Sequence, residues 1–352
     1  MSSAMRKISP EVLLFFCLAW FNAAIAQTSV SPQTALHVAP RPADVRADWK
    51  ALIGEYVYGN ANLTVLERDG NLFLSRSRGD FRRLKQSGPT TFTTAGQNVR
   101  FARAANGTME VTVDGTRFVK KPLGDVSHSF RIMPTRPVDE LRKEALRAKP
   151  PVETGKREPD LVEITSLDPT VKLDVRYATS DNFMGTLFYS EARAFLQRPA
   201  AEALVRANRT LRPYGYGLLI HDAYRPWFVT KMFWDATPVD KRGFVADPAK
   251  GSNHNRGGAV DLTLYDLRTG QEVEMPGGYD EMSRRSYAHY EGGTSLQRWR
   301  RDLLRAAMEA RGFKVYDMEW WHFDYKDWAK YPVLNVSFAE LEKRERGSTS
   351  PH

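Results

Sequence analysis

The sequence predicts an α+β domain, a central antiparallel sheet flanked by helices, preceded by a small all-β barrel or sandwich. Three observations predict it. Between Trp49 and about Lys121, short alternating apolar runs are separated by Asp-Gly and Asn-Gly dipeptides, which are the strongest short-range hairpin signals. From Leu161 onward, segments of helical and strand periodicity alternate. A proline-rich stretch lies between the two regions. At 352 residues the chain can bury two cores.

The elements follow in order. Arg6 and Lys7 precede an apolar run from Val12 to Phe21, and Ala24-Ile25-Ala26 offers a small-x-small cleavage site. Residues 1–26 therefore read as a secretory signal peptide. The run is too short for a membrane span, which needs about 20 apolar residues. Export to the periplasm or medium is expected, with no stable membrane anchor after cleavage. Cys17, the only cysteine, lies in the removed segment, so the mature chain has no disulfide.

Residues 27–45 are rich in Ser, Pro, Thr and Ala and read as a linker. In the β domain, 46–122, Leu63 to Leu66 and Leu72 to Leu74 flank Asp69-Gly70, and Val99 to Ala102 and Met109 to Val113 flank Asn106-Gly107. Asp114-Gly115 leads to Arg117-Phe118-Val119. Five to eight strands are expected. Residues 123–160 hold Pro134, Pro137, Pro150, Pro151 and Pro159 around one charged stretch, Val138–Ala148, and read as a linker containing a short helix at most.

The second domain spans 161–342, with a polar tail over 343–352. Ala200–Leu211 has a helix pattern and Gly217–Ile220 is a buried strand. Gly258–Leu264 alternates as a strand carrying Asp261. Ser295–Arg311 is an amphipathic helix stopped by Gly312, and Phe313–Tyr316 is a further strand.

The formal charge is +9, or +8 once Arg6, Lys7 and Glu11 are removed. A solvated surface accounts for it; attraction to anionic wall polymers is the functional alternative. No nucleic-acid-binding motif is present, so no nucleic-acid partner is expected.

The chemistry concentrates in two places. Ser252-Asn253-His254-Asn255-Arg256-Gly257-Gly258-Ala259-Val260-Asp261 is answered far down the chain by Glu319-Trp320-Trp321-His322. Two imidazoles and a carboxylate fill three corners of a tetrahedral zinc site, leaving one for water. Glu319 is then free to act as a base. Only seven histidines occur in the chain, so two in such settings carry weight. A capped turn, a packed core histidine and a surface charge remain open on spacing alone, because no His-Glu-x-x-His helix motif is present.

The segments Ser252–Leu264 and Glu319–Phe323 resemble signatures of the D-alanyl-D-alanine dipeptidases, the VanX-like zinc peptidases. Tyr177–Phe183 and Asp222-Ala223-Tyr224-Arg225-Pro226 are similar to two further signatures of the family. The resemblance implies that His254, Asp261 and His322 bind one Zn2+ and that Glu319 is the general base. It also implies that Arg225 receives the oxyanion, that Asp280 takes the ammonium of a small dipeptide, and that Ser252 holds substrate. The Asp280 loop departs from the family pattern at Pro276, Gly278 and Tyr287, which leaves substrate stringency open.

Glu281 and Asp266 read as solvated charges, Trp320 and Trp321 as packing. His221 is expected in the core or behind the site, and His289 on the surface. The stretch Leu52–Tyr56 resembles the small domain appended to some secreted serine hydrolases and penicillin-binding-type proteins. A spacer is its plain reading, and cell-wall contact the functional one.

D-alanyl-D-alanine hydrolysis in wall turnover or dipeptide recovery is the expected activity. A D,D-carboxypeptidase or endopeptidase acting on peptidoglycan stems is the competing enzyme. A non-catalytic zinc-containing binding protein is the competing class.

Overall fold

The computed structural model describes residues 36–122 and 131–348. The segment expected as a signal peptide, residues 1–26, and residues 27–35 of the first expected linker lie outside the described residues. No helix among them is long and apolar enough to cross a membrane.

The β domain is one antiparallel sheet of nine strands, one more than the upper expectation. They are β1 (Gly54–Tyr58), β2 (Ala61–Arg68), β3 (Asn71–Ser75), β4 (Arg82–Arg83), β5 (Lys85–Gln86), β6 (Thr91–Thr94), β7 (Gln97–Arg103), β8 (Met109–Val113) and β9 (Thr116–Lys120). Their spatial order is β4-β3-β2-β1-β9-β8-β7-β6-β5. Asp69-Gly70 and Asp114-Gly115 close hairpins with both residues at positive φ, as two-residue turns of matching twist require. Alternate side chains point inward, so Leu63, Val65, Leu72, Leu74, Val99, Phe101, Val111 and Val113 share a core with Tyr56 and Phe92. Phe92 meets Phe101 edge-on at 5.5 Å.

The second region centres on a five-stranded sheet in the order β11 (Lys172–Leu173), β13 (Tyr216–Asp222), β14 (Ala259–Asp266), β16 (Glu319–Tyr325), β15 (Phe313–Tyr316). A separate two-stranded ladder joins β10 (Leu161–Glu163) to β12 (Phe195–Gln197). The central sheet is antiparallel except at its edge, where β11 runs parallel to β13. It is therefore a mixed sheet, and the expectation of a fully antiparallel one is corrected. Two amphipathic helices, Arg198–Leu211 and Ser295–Glu309, bury Leu204, Leu211, Leu303 and Leu304 in one core with Leu218, Ile220, Val260 and Leu262.

The segment expected as a proline-rich linker is tightly packed where it is described. The helix Val138–Arg147 buries Leu141 and Ala145 in a second core with Met232 and Phe233 of the helix Trp227–Ala236. Glu153 accepts from Arg256 at 2.7 Å and from the Val333 backbone at 2.9 Å. Prolines set its extended stretches, and composition alone does not reveal the packing.

The β domain is joined to the sheet region by buried polar contacts. The Glu67 carboxylate, 2% exposed, accepts from the Ser295 backbone at 2.7 Å and its hydroxyl at 3.1 Å. Ser295 opens a helix with a Thr294/Gln297 capping box, so the charge meets the positive helix end. Arg298 returns a bond to the Glu67 carbonyl at 2.8 Å.

Candidate active site

Strand register builds the site. Asp222 pairs with Asp261, and Asp261 with His322, so three neighbouring strands place these residues in one row. The β13 ladder shifts between Ile220 and Asp222, and this bulge sets Asp222 opposite Asp261. His254 arrives from a 3-10 turn, His254–Arg256, ended by Gly257 at φ 62°. Glu319 and His322 lie within β16, whereas the sequence placed them just after a strand. The Asp317-Met318 turn carries no Gly or Asn-Gly signal, so the second arm of that hairpin was hidden.

Hydrogen bonding fixes the state of each ring. Nδ1 of His254 lies 2.7 Å from the Ala223 carbonyl, which only accepts, so Nδ1 carries the hydrogen and Nε2 is bare. Nε2 of His322 lies 3.1 Å from Asp324 Oδ1 and donates there, which turns Nδ1 toward Asp261. The two inner nitrogens face each other at 3.2 Å. Asp261 Oδ1 stands 3.0 Å from His322 Nδ1 and 3.4 Å from His254 Nε2. Without a metal, a proton on His322 Nδ1 bridges to Asp261; once that proton leaves, three acceptors converge and a cation satisfies them together. Ligand atoms at ordinary zinc distances in a tetrahedron stand about 3.3 Å apart, so the triangle fits that ion.

The electrostatics express the same demand. Burial would raise the Asp261 carboxyl, but His254 and His322 hold it far below the usual carboxylate range. Burial would lower His322, but Asp261 and Asp324 push it well above its ordinary value. Supporting groups surround the triangle. Asp324 orients His322, and Tyr279 donates to Asp261 Oδ2 at 3.0 Å, the outer contacts that fix metal ligands.

Glu319 Oε2 lies 3.9 Å from His322 Nδ1, and its side chain keeps 35% of its surface exposed. Burial of the carboxyl, with Asp261 close by, raises its pKa, although His322 opposes this. Arg225 is clamped by Asp222 Oδ2, with Nε at 3.0 Å and Nη2 at 2.8 Å. Its guanidinium sits 4.9 Å from the Phe233 ring centre and 5.2 Å from that of Tyr177. Asp222 is fully buried, also accepts from Tyr189 at 2.7 Å, and lies 3.7 Å from His254 Nδ1. One carboxylate thus lies between the arginine and a histidine of the triangle.

Asp280 has φ 53°, a left-handed conformation that Asp tolerates. Tyr177 donates to its Oδ2 at 3.0 Å. Burial, reinforced by the Asp261 and Glu319 charges, pushes its carboxyl up to about 8. Beneath it, Glu281 corrects the sequence reading of a solvated charge. It is 1% exposed and accepts from Gly278, Ser283 and Arg285, pinning the loop. Asp266 instead caps a turn through the backbones of Arg268 and Thr269. The Ser252 hydroxyl accepts from the His254 backbone at 3.3 Å, which ties it to the histidine turn.

His221 is fully buried and stacks on Tyr279 with ring centres 4.6 Å apart. His289 is exposed, and Trp320 and Trp321 are packed in the sheet core. Asp222, Tyr279 and Asp324 were not given roles from the sequence. The i, i+2 spacing of His322 and Asp324 puts both on one face of β16, a signal for the last that is usable only once the strand is known.

Residues 157–343 match the peptidase M15 family model, described as D-ala-D-ala dipeptidase. The chain belongs to this family. Among similar proteins is a D-alanyl-D-alanine dipeptidase of Escherichia coli (strain K12), 37% identical over 180 residues, covering 51% of this chain and 92% of the relative. The enzyme of that name from Enterococcus faecium is 36% identical over 189 residues, covering 48% and 92%. That from Streptomyces coelicolor (strain ATCC BAA-471 / A3(2) / M145) is 34% identical over 189 residues, with the same coverage. All of the site residues described above fall within the family match, and the β domain falls outside it. Membership makes the chain a hydrolase of the metallopeptidase class.

Proposed function

We propose that this protein is an exported, zinc-dependent dipeptidase that hydrolyses D-alanyl-D-alanine to two molecules of D-alanine. The observation that carries the reading is the triangle of His254, Asp261 and His322 acceptors beside Glu319, in a chain of the dipeptidase family. Those three residues would hold the metal. Bound zinc supplies a Lewis acid that polarises the scissile carbonyl and acidifies a water molecule.

The protein's own groups do the rest. Glu319 takes the proton of the attacking water and returns it to the leaving amine, work for which its raised pKa suits it. Arg225, held by Asp222, stabilises the negative charge that develops on the carbonyl oxygen. Asp222 takes up its Nε and Nη2. Asp280 receives the substrate ammonium, a counter-charge that a buried carboxylate needs. Ser252 acts through the His254 turn and at the substrate edge.

His254→Ala should abolish stoichiometric zinc, whereas Glu319→Ala should retain it and lose at least about 100-fold in turnover. Metal analysis beside a D-alanine release assay measures both, and a fully active Glu319→Ala enzyme refutes the mechanism. Assaying D-Ala-D-Ala beside a muropeptide ending in D-Ala-D-Ala separates a dipeptidase from a carboxypeptidase. An ammonium-binding Asp280 favours the free dipeptide, since a longer chain puts an amide there. Export rests on the N-terminal pattern, and places the enzyme where wall turnover releases dipeptide. Confinement of the protein to the cytoplasm on fractionation would overturn that part.

A further inference from the structure

A second cleft, of about 500 Å³, lies between the β domain and the family domain, a volume within the range of small-ligand sites. One wall comes from β2, β3 and the loop after β3, and the other from residues 284–292 with the Asp317-Met318 turn. Arg76 and Arg78 project from the first wall and Arg284 from the second. All three are exposed, and none forms an ion pair or side-chain hydrogen bond with a described residue. The carboxylates in the lining, Glu291 and Asp317, form no ion pair with these arginines.

Aromatic surface lies beside the charge. Phe81 and Tyr287 line the cleft, and Tyr287 is 44% exposed. Hydroxyl and amide groups of Asn62, Thr64 and Ser77 complete the polar lining. Unpaired guanidinium groups select carboxylates or phosphates through paired N–H donors. The exposed Tyr287 ring beside hydroxyl groups offers an apolar face for a sugar ring. The surrounding field agrees, because residues 46–122 hold thirteen Lys and Arg against seven Asp and Glu, most of the chain's positive excess.

The cleft is continuous in chain with the active site. Met318 immediately precedes Glu319, and Arg284 lies four residues beyond Asp280, on the loop that Glu281 pins. We propose that this cleft binds a carboxylate-bearing glycopeptide of the wall polymer, holding the enzyme where its dipeptide is released. The ligand class rests on the D-alanyl-D-alanine reading; the anionic character of the ligand rests on the arginines alone.

The test uses the zinc-loaded mature chain and a soluble N-acetylated disaccharide carrying a lactyl-linked tripeptide without terminal D-Ala-D-Ala. Calorimetry should show saturable binding that weakens at least tenfold in Arg76→Glu/Arg78→Glu, while kcat/KM for free D-Ala-D-Ala is unchanged. A neutral N-acetylglucosamine tetramer should bind at least tenfold more weakly than the glycopeptide. Absent binding, or equal affinity in the double variant, overturns the proposal. Polyphosphate binding as tight as the glycopeptide also overturns it, by exposing a general anion site. Binding without dipeptide hydrolysis would instead sink the dipeptidase reading and leave the cleft standing.

Discussion

At the scale of single residues, the site is a set of acceptors held in place by donors and carboxylates behind them. Asp324 illustrates the arrangement, since its bond to His322 Nε2 turns Nδ1 toward Asp261. Asp324→Ala should weaken zinc binding about 10–100-fold, as loss of such outer partners does, measured by competition with a chromogenic chelator. Unchanged affinity would show that the ring is oriented by packing alone. His221 gives a different prediction. Burial alone would lower its pKa, but Asp174 and Glu272 outweigh that and raise it to about 9. Its Nδ1 lies 3.5 Å from Asp174 Oδ2 and its Nε2 3.8 Å from Glu272 Oε1, the second contact too long for a hydrogen bond. Arg176, beside both carboxylates, opposes the rise. The folded-state value exceeds the ordinary 6.5, so native protein keeps a proton that unfolded chain releases. The stabilisation is complete below about pH 6.5 and is lost as pH climbs through about 9, on the order of 3 kcal/mol in all. Urea unfolding with excess zinc at about pH 6 and about pH 10 should show a smaller pH loss in His221→Gln than in wild type. Parallel profiles would contradict it.

At the scale of elements, the row Asp222–Asp261–His322 depends on strand register, where a slip of one residue turns every side chain over. Gly258 enters β14 against Trp328, and a Cβ there would meet Trp328 Cβ at 2.5 Å and its Cα at 2.8 Å. Backbone cannot yield as a flexible side chain does. Gly258→Ala should therefore destabilise by about 1–3 kcal/mol and loosen zinc binding, read by denaturant titration and chelator competition. Wild-type values for both would show that the strand entry has slack. Much of this level was legible in the sequence. Alternation over Gly258–Leu264 revealed β14 and put Asp261 on it, and Gly312 marked the end of the preceding helix. The arm carrying Glu319 and His322 was not legible as a strand, because Trp320 and Trp321 are both buried and erase the alternation. Nor did the charge of Glu281 advertise its burial, since its partners Gly278, Ser283 and Arg285 are brought around it only by the folded loop.

At the scale of the whole molecule, the β domain and the family domain share a buried polar junction at Glu67. Removing the carboxylate strands the Ser295 N–H and hydroxyl in the contact, at a cost of about 2–4 kcal/mol. Glu67→Ala should split thermal unfolding into two transitions, the β domain melting first, while the unmutated chain melts with the two coupled. Calorimetric traces that superimpose would place the coupling elsewhere.

The closure of the nine-stranded sheet has one more consequence. Its two border strands, β4 and β5, are each two residues long, carry Arg82, Arg83 and Lys85, and are separated only by Leu84. The ribbon therefore ends where it begins, and little backbone is left open for another chain to extend. Strand addition, a common means of capturing peptides, has nowhere to start on this domain. Self-templated aggregation is blunted by the same charged, abbreviated margins. Recognition by the domain has to proceed through side chains projecting from its surface.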